Sequence, residues 1–244
     1  MTSFLQVYDC DLAATPNLTA TAMEFLSPEE AERAQRFYFE KDRMEFVGCK
    51  ALQRILIGRK LGLAPGSLVF TVNAFGKPAL AKDLLFFNIS HSHGRGLIGL
   101  GNSGELGVDV EYIERRLEIA ELAERFFSKQ ECEELFGLPL EQQKQGFFNA
   151  WSRKEAYIKA RGKGISYGLE SFSVQLTPGA PARLLEDQND LEAPMKWKIE
   201  DLPVKPGFVA AAAFSPGQNL ELLRISAEDF TSLITQELRA HKKI

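Results

Sequence analysis

Phe147 to Gly164, FFNAWSRKEAYIKARGKG, is the stretch whose reading decides the fold. On helical turns Phe147, Trp151, Tyr157 and Ile158 can face one core, and Glu155 sits one turn after Trp151 at the edge of that stripe. Lys159, four residues further on, can pair with Glu155, and Gly162 and Gly164 can stop the helix and let other backbone approach closely. A solvated amphipathic helix with Glu–Lys pairs would show much of the same pattern. An upstream stretch, GVDVEYI at Gly107 to Ile113, favours reading it as an active-site helix.

In GVDVE a strand carries Val108 and Val110 on one face and Asp109 and Glu111 on the other. A strand with one wet face would look the same. Like charges on alternate residues are unfavourable, however, unless a cation lies between them. Hard oxygen ligands without His or Cys suit Mg²⁺ or Mn²⁺, and Mg²⁺ is usually held by one or two carboxylates together with substrate phosphates. Glu155 would add a third carboxylate, with Lys154 and Lys159 to neutralise phosphate oxygens, so a diphosphate is the expected ligand.

With 244 residues and 45% hydrophobic content, the chain can build one large domain or two small ones with real cores. A net charge of −4 disfavours general nucleic-acid binding. No apolar run approaches the roughly 18 residues that span a bilayer, and MTSFLQVYDCDLAATP lacks the marks of a signal peptide, so a cytoplasmic protein is expected. Cys10, Cys49 and Cys132 are odd in number and widely spaced, which suits reduced thiols better than disulfides or a structural metal.

In chain order the patterns predict a strand at Leu5–Tyr8, a turn-rich exit over Asp11–Asn17, and a helix from Pro28 to about Phe37 capped by Ser27. A core helix from Asp42 to Lys60 stops at Gly62, and strands follow at Leu68–Asn73, Leu84–Ser90 and Leu97–Leu100, with FGKP and GNSGE as turns. Pro178 to Pro206 reads as a variable loop containing a short strand, MKWKI. The order then repeats. A shift of 101 residues puts Val7 on Val108, FLS at Phe25 on FFS at Phe126, Phe46 on Phe147 and Ile57 on Ile158; one residue more puts Phe70 on Phe172. The expected fold is therefore α/β: two similar halves, 1–104 and 105–244, about a pseudo-twofold axis, with a ligand in the cleft between them.

The ordered set GKP (Gly76–Pro78), FNISHS (Phe87–Ser92), GVDVE and WSRKEAYIKARGKG resembles the 4′-phosphopantetheinyl transferase superfamily, specifically its long, Sfp-like branch of monomers built from two α/β halves. The resemblance implies Mg²⁺-dependent transfer of phosphopantetheine from coenzyme A to a serine of an apo acyl or peptidyl carrier protein, releasing adenosine 3′,5′-bisphosphate. The partner would be an acidic helical bundle, with no nucleic acid or membrane involved.

Position by position, the resemblance makes Asp109, Glu111 and Glu155 the magnesium set, Lys159 a diphosphate contact and His91 a phosphate contact. Gly76, Lys77, Pro78, Ser90 and Ser92 become walls of the coenzyme A pocket, with Lys154 as a further cation. Glu155 is the expected base, Glu131 the second choice. Arg33 and Arg43 are expected near the 3′-phosphate, although Glu29 and Glu30 depart from the family's basic pattern and Lys50 and Arg54 lie on the same helix as Arg43. His93 and Trp151 read as structural. A nucleotide diphosphatase would use the same acids, and a non-catalytic carrier-binding homologue is a third reading.

Overall fold

The organising helix forms where its periodicity puts it, from Leu140 to Arg161 in the computed structural model, which describes residues 4–12, 16–81, 85–102, 104–113 and 117–241. In chain order the elements are β1 (Leu5–Asp11), α1 (Pro16–Ala22), α2 (Pro28–Gln35), α3 (Glu40–Leu61), β2 (Phe70–Val72), β3 (Pro78–Leu80), β4 (Phe86–Ser92) and β5 (Arg95–Gly101). Then come β6 (Leu106–Tyr112), α4 (Ile119–Phe126), α5 (Lys129–Gly137), α6 (Leu140–Arg161), β7 (Phe172–Val174), β8 (Leu184–Asp187), α7 (Ala193–Lys196), β9 (Lys198–Asp201), β10 (Phe208–Phe214), β11 (Leu220–Ile225) and α8 (Ala227–His241). This is the mixed α/β chain expected.

The sequence repeat has a structural counterpart. Ser27 and Ser128 each open a helix with a capping box, in which Glu30 and Glu131 return a carboxylate oxygen to the cap N–H at 3.1 and 2.8 Å. α3 and α6 are both 22 residues long, and each ends on a left-handed glycine, Gly62 and Gly162.

β11, β1, β5 and β4 form one sheet in that order; β6, β10 and β9 form another. β1 is antiparallel to β5 and parallel to β11, with Leu5 opposite Leu220 and Cys10 opposite Ile225. β11 and α8 thus return to the first sheet, and Ile225, Phe230 and Ile234 share a core with Phe46, Leu52 and Ile55 of α3. That segment therefore contacts both sides of the division expected at residue 104: β11 pairs with β1, while Arg224 donates to the Pro203 carbonyl at 3.0 Å. Leu5, Val7 and Leu97 meet Leu106, Val108, Val110 and Phe214 in a core between the sheets.

At the joint, alternate polar residues of β4 stand in for a neighbouring strand. Asn88 Oδ1, Ser90 Oγ and Ser92 Oγ accept from the N–H groups of Val108, Val110 and Tyr112 at 2.8, 3.4 and 3.3 Å. Buried backbone donors need such partners, and the period of two in FNISHS supplies them on one face.

Gly107 fixes how closely β6 crosses α6. A Cβ there would lie 2.0 Å from the Ala156 carbonyl oxygen and 2.4 Å from the Ala160 nitrogen. Gly107→Ala is therefore expected to cost about 3 kcal/mol by overpacking against backbone, seen as a lower denaturation midpoint; an unchanged midpoint would contradict so tight a crossing. Trp151 packs on Phe147 at 5.7 Å and edge-on to Phe126 at 5.5 Å. Trp151→Phe should cost about 1–2 kcal/mol of stability with turnover retained, and a fall in rate without a fall in thermal stability would give Trp151 a role in the chemistry.

Two expectations are corrected. Pro178–Pro206 contains β8, α7 and β9 rather than a loop, and within MKWKI Met195 and Lys196 end α7 while the strand begins at Lys198. α1 begins at Pro16, inside the exit expected over Asp11–Asn17. Residues 13–15 of that exit, Leu84 at the start of the expected strand and residue 103 of GNSGE lie outside the described residues.

Candidate active site

α6 carries Glu155 and Lys159 one turn apart, and β6 brings Asp109 to them across the Gly107 crossing. The Lys159 ammonium donates to Asp109 Oδ1 at 2.6 Å and to Ser90 Oγ at 3.1 Å, and the Ser90 hydroxyl donates to the same Oδ1 at 2.9 Å. Asp109 is 3% exposed, and its Oδ2 is buried with no hydrogen-bond partner among the described residues. An orphaned buried carboxylate oxygen is costly, and it leaves the Asp109 carboxylate only partly satisfied.

The electrostatics agree. Burial, and then repulsion from Asp109, push the Glu155 carboxyl above its usual range against the pull of Lys159. Burial alone would lower the Lys159 ammonium, but Asp109, Glu155 and Glu111 together raise it. Three carboxylates act on one ammonium, an excess of negative charge in partly dry surroundings. Among the described residues no three metal-ligating side chains are drawn together, and Lys159 is ion-paired with Asp109.

A cleft of about 900 Å³ opens beside this cluster. Arg33, Gly76, Pro78, Ser90, His91 and Lys159 line it, together with Phe46, Lys50, Arg54 and Ile89. Arg33 lies over the Phe46 ring at 5.2 Å. Arg54 is buried and committed to Glu30 at 2.7 Å and to the carbonyls of Pro65 and Leu68, so Glu30 holds cations in the wall instead of replacing one. Lys50, 3.7 Å from Glu30, is drawn below the usual lysine range chiefly by burial. Cys49 also lies in the cleft floor, where burial pushes its thiol up to about 12 and leaves it inert.

Other expected site residues lie elsewhere. The Lys77 ammonium turns from the cleft to the carbonyls of Ala160 at 2.9 Å and Leu106 at 3.4 Å, while Asn73 donates to the Gly162 carbonyl at 2.7 Å. FGKP is therefore a clasp on the end of α6, with Lys77 at the negative end of the helix dipole. Ser92 is spent on Tyr112. Arg43 pairs with Glu40 at the start of α3, at 2.5 and 2.7 Å, and does not line the cleft. Lys154 and Glu131 are 1% and 0% exposed and are bound to each other at 2.5 Å inside the second half. Glu131 also accepts from the N–H groups of Ser128 and Val174, so it is a structural acid rather than a cleft base.

Lys50 was not picked out from its neighbours by sequence. The available signal was the run Phe46, Lys50, Arg54 at four-residue spacing, together with Glu40, which claims Arg43 at i−3. Among the described residues no helix is long and apolar enough to cross a membrane.

Residues 105–213 match the family model described as the 4′-phosphopantetheinyl transferase superfamily, and residues 13–98 match that described as 4′-phosphopantetheinyl transferase, N-terminal. The chain is 37% identical over 207 residues to the 4′-phosphopantetheinyl transferase HetI of Nostoc sp., covering 83% of this chain and 80% of that protein. It is 34% identical over 210 residues to the 4′-phosphopantetheinyl transferase Sfp of Bacillus subtilis, covering 85% and 90%. The L-aminoadipate-semialdehyde dehydrogenase-phosphopantetheinyl transferase of Pongo abelii is 28% identical over 213 residues, covering 80% and 69%. Both halves and most of the chain length are accounted for, and the chain belongs to the 4′-phosphopantetheinyl transferase superfamily of enzymes.

Proposed function

We propose that the enzyme transfers the 4′-phosphopantetheine group from coenzyme A to a serine of an apo acyl or peptidyl carrier protein, releasing adenosine 3′,5′-bisphosphate. The observation that carries this reading is a cleft lined by Arg33, Lys50 and His91, beside Glu29 and Glu30, that reaches Lys159, which is ion-paired with Asp109. That polarity fits a ligand with a phosphorylated nucleotide at one end and a diphosphate at the other. Residues 1–104 would hold the nucleotide end and residues 105–244 the reacting end. The enzyme would act as a monomer in the cytoplasm.

Asp109, Glu111 and Glu155 would hold Mg²⁺, which suits an all-oxygen donor set with an orphaned Asp109 oxygen. When bound it neutralises charge on the diphosphate. Lys159 stabilises the same charge from the protein side. Glu155, its proton affinity raised by burial and Asp109, takes the proton of the carrier's serine. The serine oxygen forms a bond to the pantetheine-side phosphorus, and the bond to the bridging oxygen breaks with its electron pair leaving on adenosine 3′,5′-bisphosphate. The nucleophile belongs to the partner, so none is required here.

Incubation with coenzyme A, Mg²⁺ and a panel of apo carriers, followed by intact mass, tests the reading. A carrier gaining one phosphopantetheine supports it; release of phosphopantetheine without any carrier would identify a diphosphatase, and neither product would identify a non-catalytic binder.

A further inference from the structure

Glu45 faces the cleft's histidine from α3 and takes no part in the mechanism above. It is 8% exposed. Its Oε1 accepts from the Gly94 N–H at 2.6 Å, and its Oε2 lies 3.6 Å from His91 Nδ1. One carboxylate thus grips both the end of β4 and the turn after it, a turn held in a left-handed conformation at His93 (φ 47°) and Gly94 (φ 76°). His91 is the last β4 residue lining the cleft, and it is partly exposed. An imidazole on the rim of an open cleft can rotate freely about χ1 and χ2 unless one ring nitrogen is tied down. With Nδ1 turned to Glu45, the opposite ring nitrogen, Nε2, is left for a ligand.

We infer that Glu45 is a positioning residue: it orients His91 for a phosphate of the nucleotide through the Glu45–His91–Gly94 contact. The inference rests on the proposed binding of coenzyme A in this cleft. Burial favours the neutral Glu45 carboxyl, but His91, the Gly94 N–H and Lys41 together keep it below the usual range, so it is a carboxylate at neutral pH. A carboxylate placed beside a phosphate site would repel the ligand if its charge were its only effect. The geometry points instead to pre-organisation, in which the cost of ordering the imidazole is met before the ligand arrives.

Calorimetry with coenzyme A on the full chain tests this with Glu45→Ala, Glu45→Gln, His91→Ala and the double variant Glu45→Ala/His91→Ala. Glu45→Ala should weaken affinity about five- to tenfold, as loss of one charge-assisted contact does, with kcat at saturating coenzyme A changed by less than about twofold. Glu45→Gln, which keeps an acceptor for Gly94 and a polar neighbour for Nδ1, should bind within about twofold of the parent. Glu45→Ala should have no further effect once His91 is gone. Equal losses with and without His91, tighter binding by Glu45→Ala, or a Glu45→Gln as weak as Glu45→Ala would each overturn the positioning role. If His91→Ala itself leaves affinity unchanged, the placement of the nucleotide fails, and the role of Glu45 fails with it. Should Glu45→Ala not fold, Glu45→Gln alone still decides between orientation and charge: affinity within about twofold of the parent supports orientation, and a larger gain or loss overturns it.

Discussion

Asp109→Asn is expected to lower kcat/KM for transfer at least about a hundredfold at fixed Mg²⁺, because it removes the charge around which Lys159, Ser90 and the other acids are arranged. The fold should survive. Val108 and Val110, which pack between the sheets on the other face of β6, are untouched, and asparagine keeps an acceptor for Ser90. Binding of Mg²⁺ to the parent should raise its melting temperature, by the equivalent of about 2.7 kcal/mol at a hundredfold excess over Kd. The direction follows because the ion would bind the assembled acids of the folded chain and not the unfolded chain. In Asp109→Asn the magnesium-dependent shift should vanish together with activity. Near-normal turnover in saturating Mg²⁺ would remove Asp109 from the metal set.

A change of similar size, in stability rather than rate, is expected for Lys154→Met. Lys154 bridges the Glu131 carboxylate and the Phe172 carbonyl, each at 2.5 Å, and lies 4.3 Å from the centre of the Phe172 ring. Its removal strands a fully buried carboxylate, a loss of about 3–5 kcal/mol. The double variant Glu131→Gln/Lys154→Met should recover part of it, since a neutral amide can still accept from Ser128 or Val174 without demanding a cation. Denaturant midpoints of the three proteins measure the effect. Glu131→Gln should turn over normally per folded molecule, and a loss of rate without a loss of stability would return Glu131 to the catalytic machinery.

The contrast between these two lysines shows what sequence could reveal. Lys154 and Lys159 both follow apolar turns of α6, and their charges read alike; burial separates them, since Lys154 points into a core of Phe127 and Phe172 while Lys159 meets Asp109. Alternation in GVDVE was legible because a strand has only two faces, and helix limits were legible because Ser27, Ser128, Gly62 and Gly162 have local reasons to be there. Lys77, Ser92 and Asn88 were harder: their partners are backbone groups 20 to 83 residues away, and a backbone carbonyl or N–H carries no mark in the sequence. β8 and α7 were missed, and the strand expected at MKWKI was placed three residues early, because elements of four residues among prolines and acids have too little periodicity to register.

The parallel pairing of β1 with β11 has a consequence for how the protein is made. Pairs such as Gln6 and Glu221 join residues 215 positions apart, so closing the first sheet means closing a loop almost as long as the chain. While the ribosome is still synthesising the second half, β1 has an unpaired edge, and the core around Phe46 and Leu52 lacks Phe230 and Ile234. The amino-terminal half, though first to emerge, becomes complete last, and a nascent chain stalled before residue 220 presents both an open strand edge and an uncovered apolar core to whatever quality-control machinery meets it.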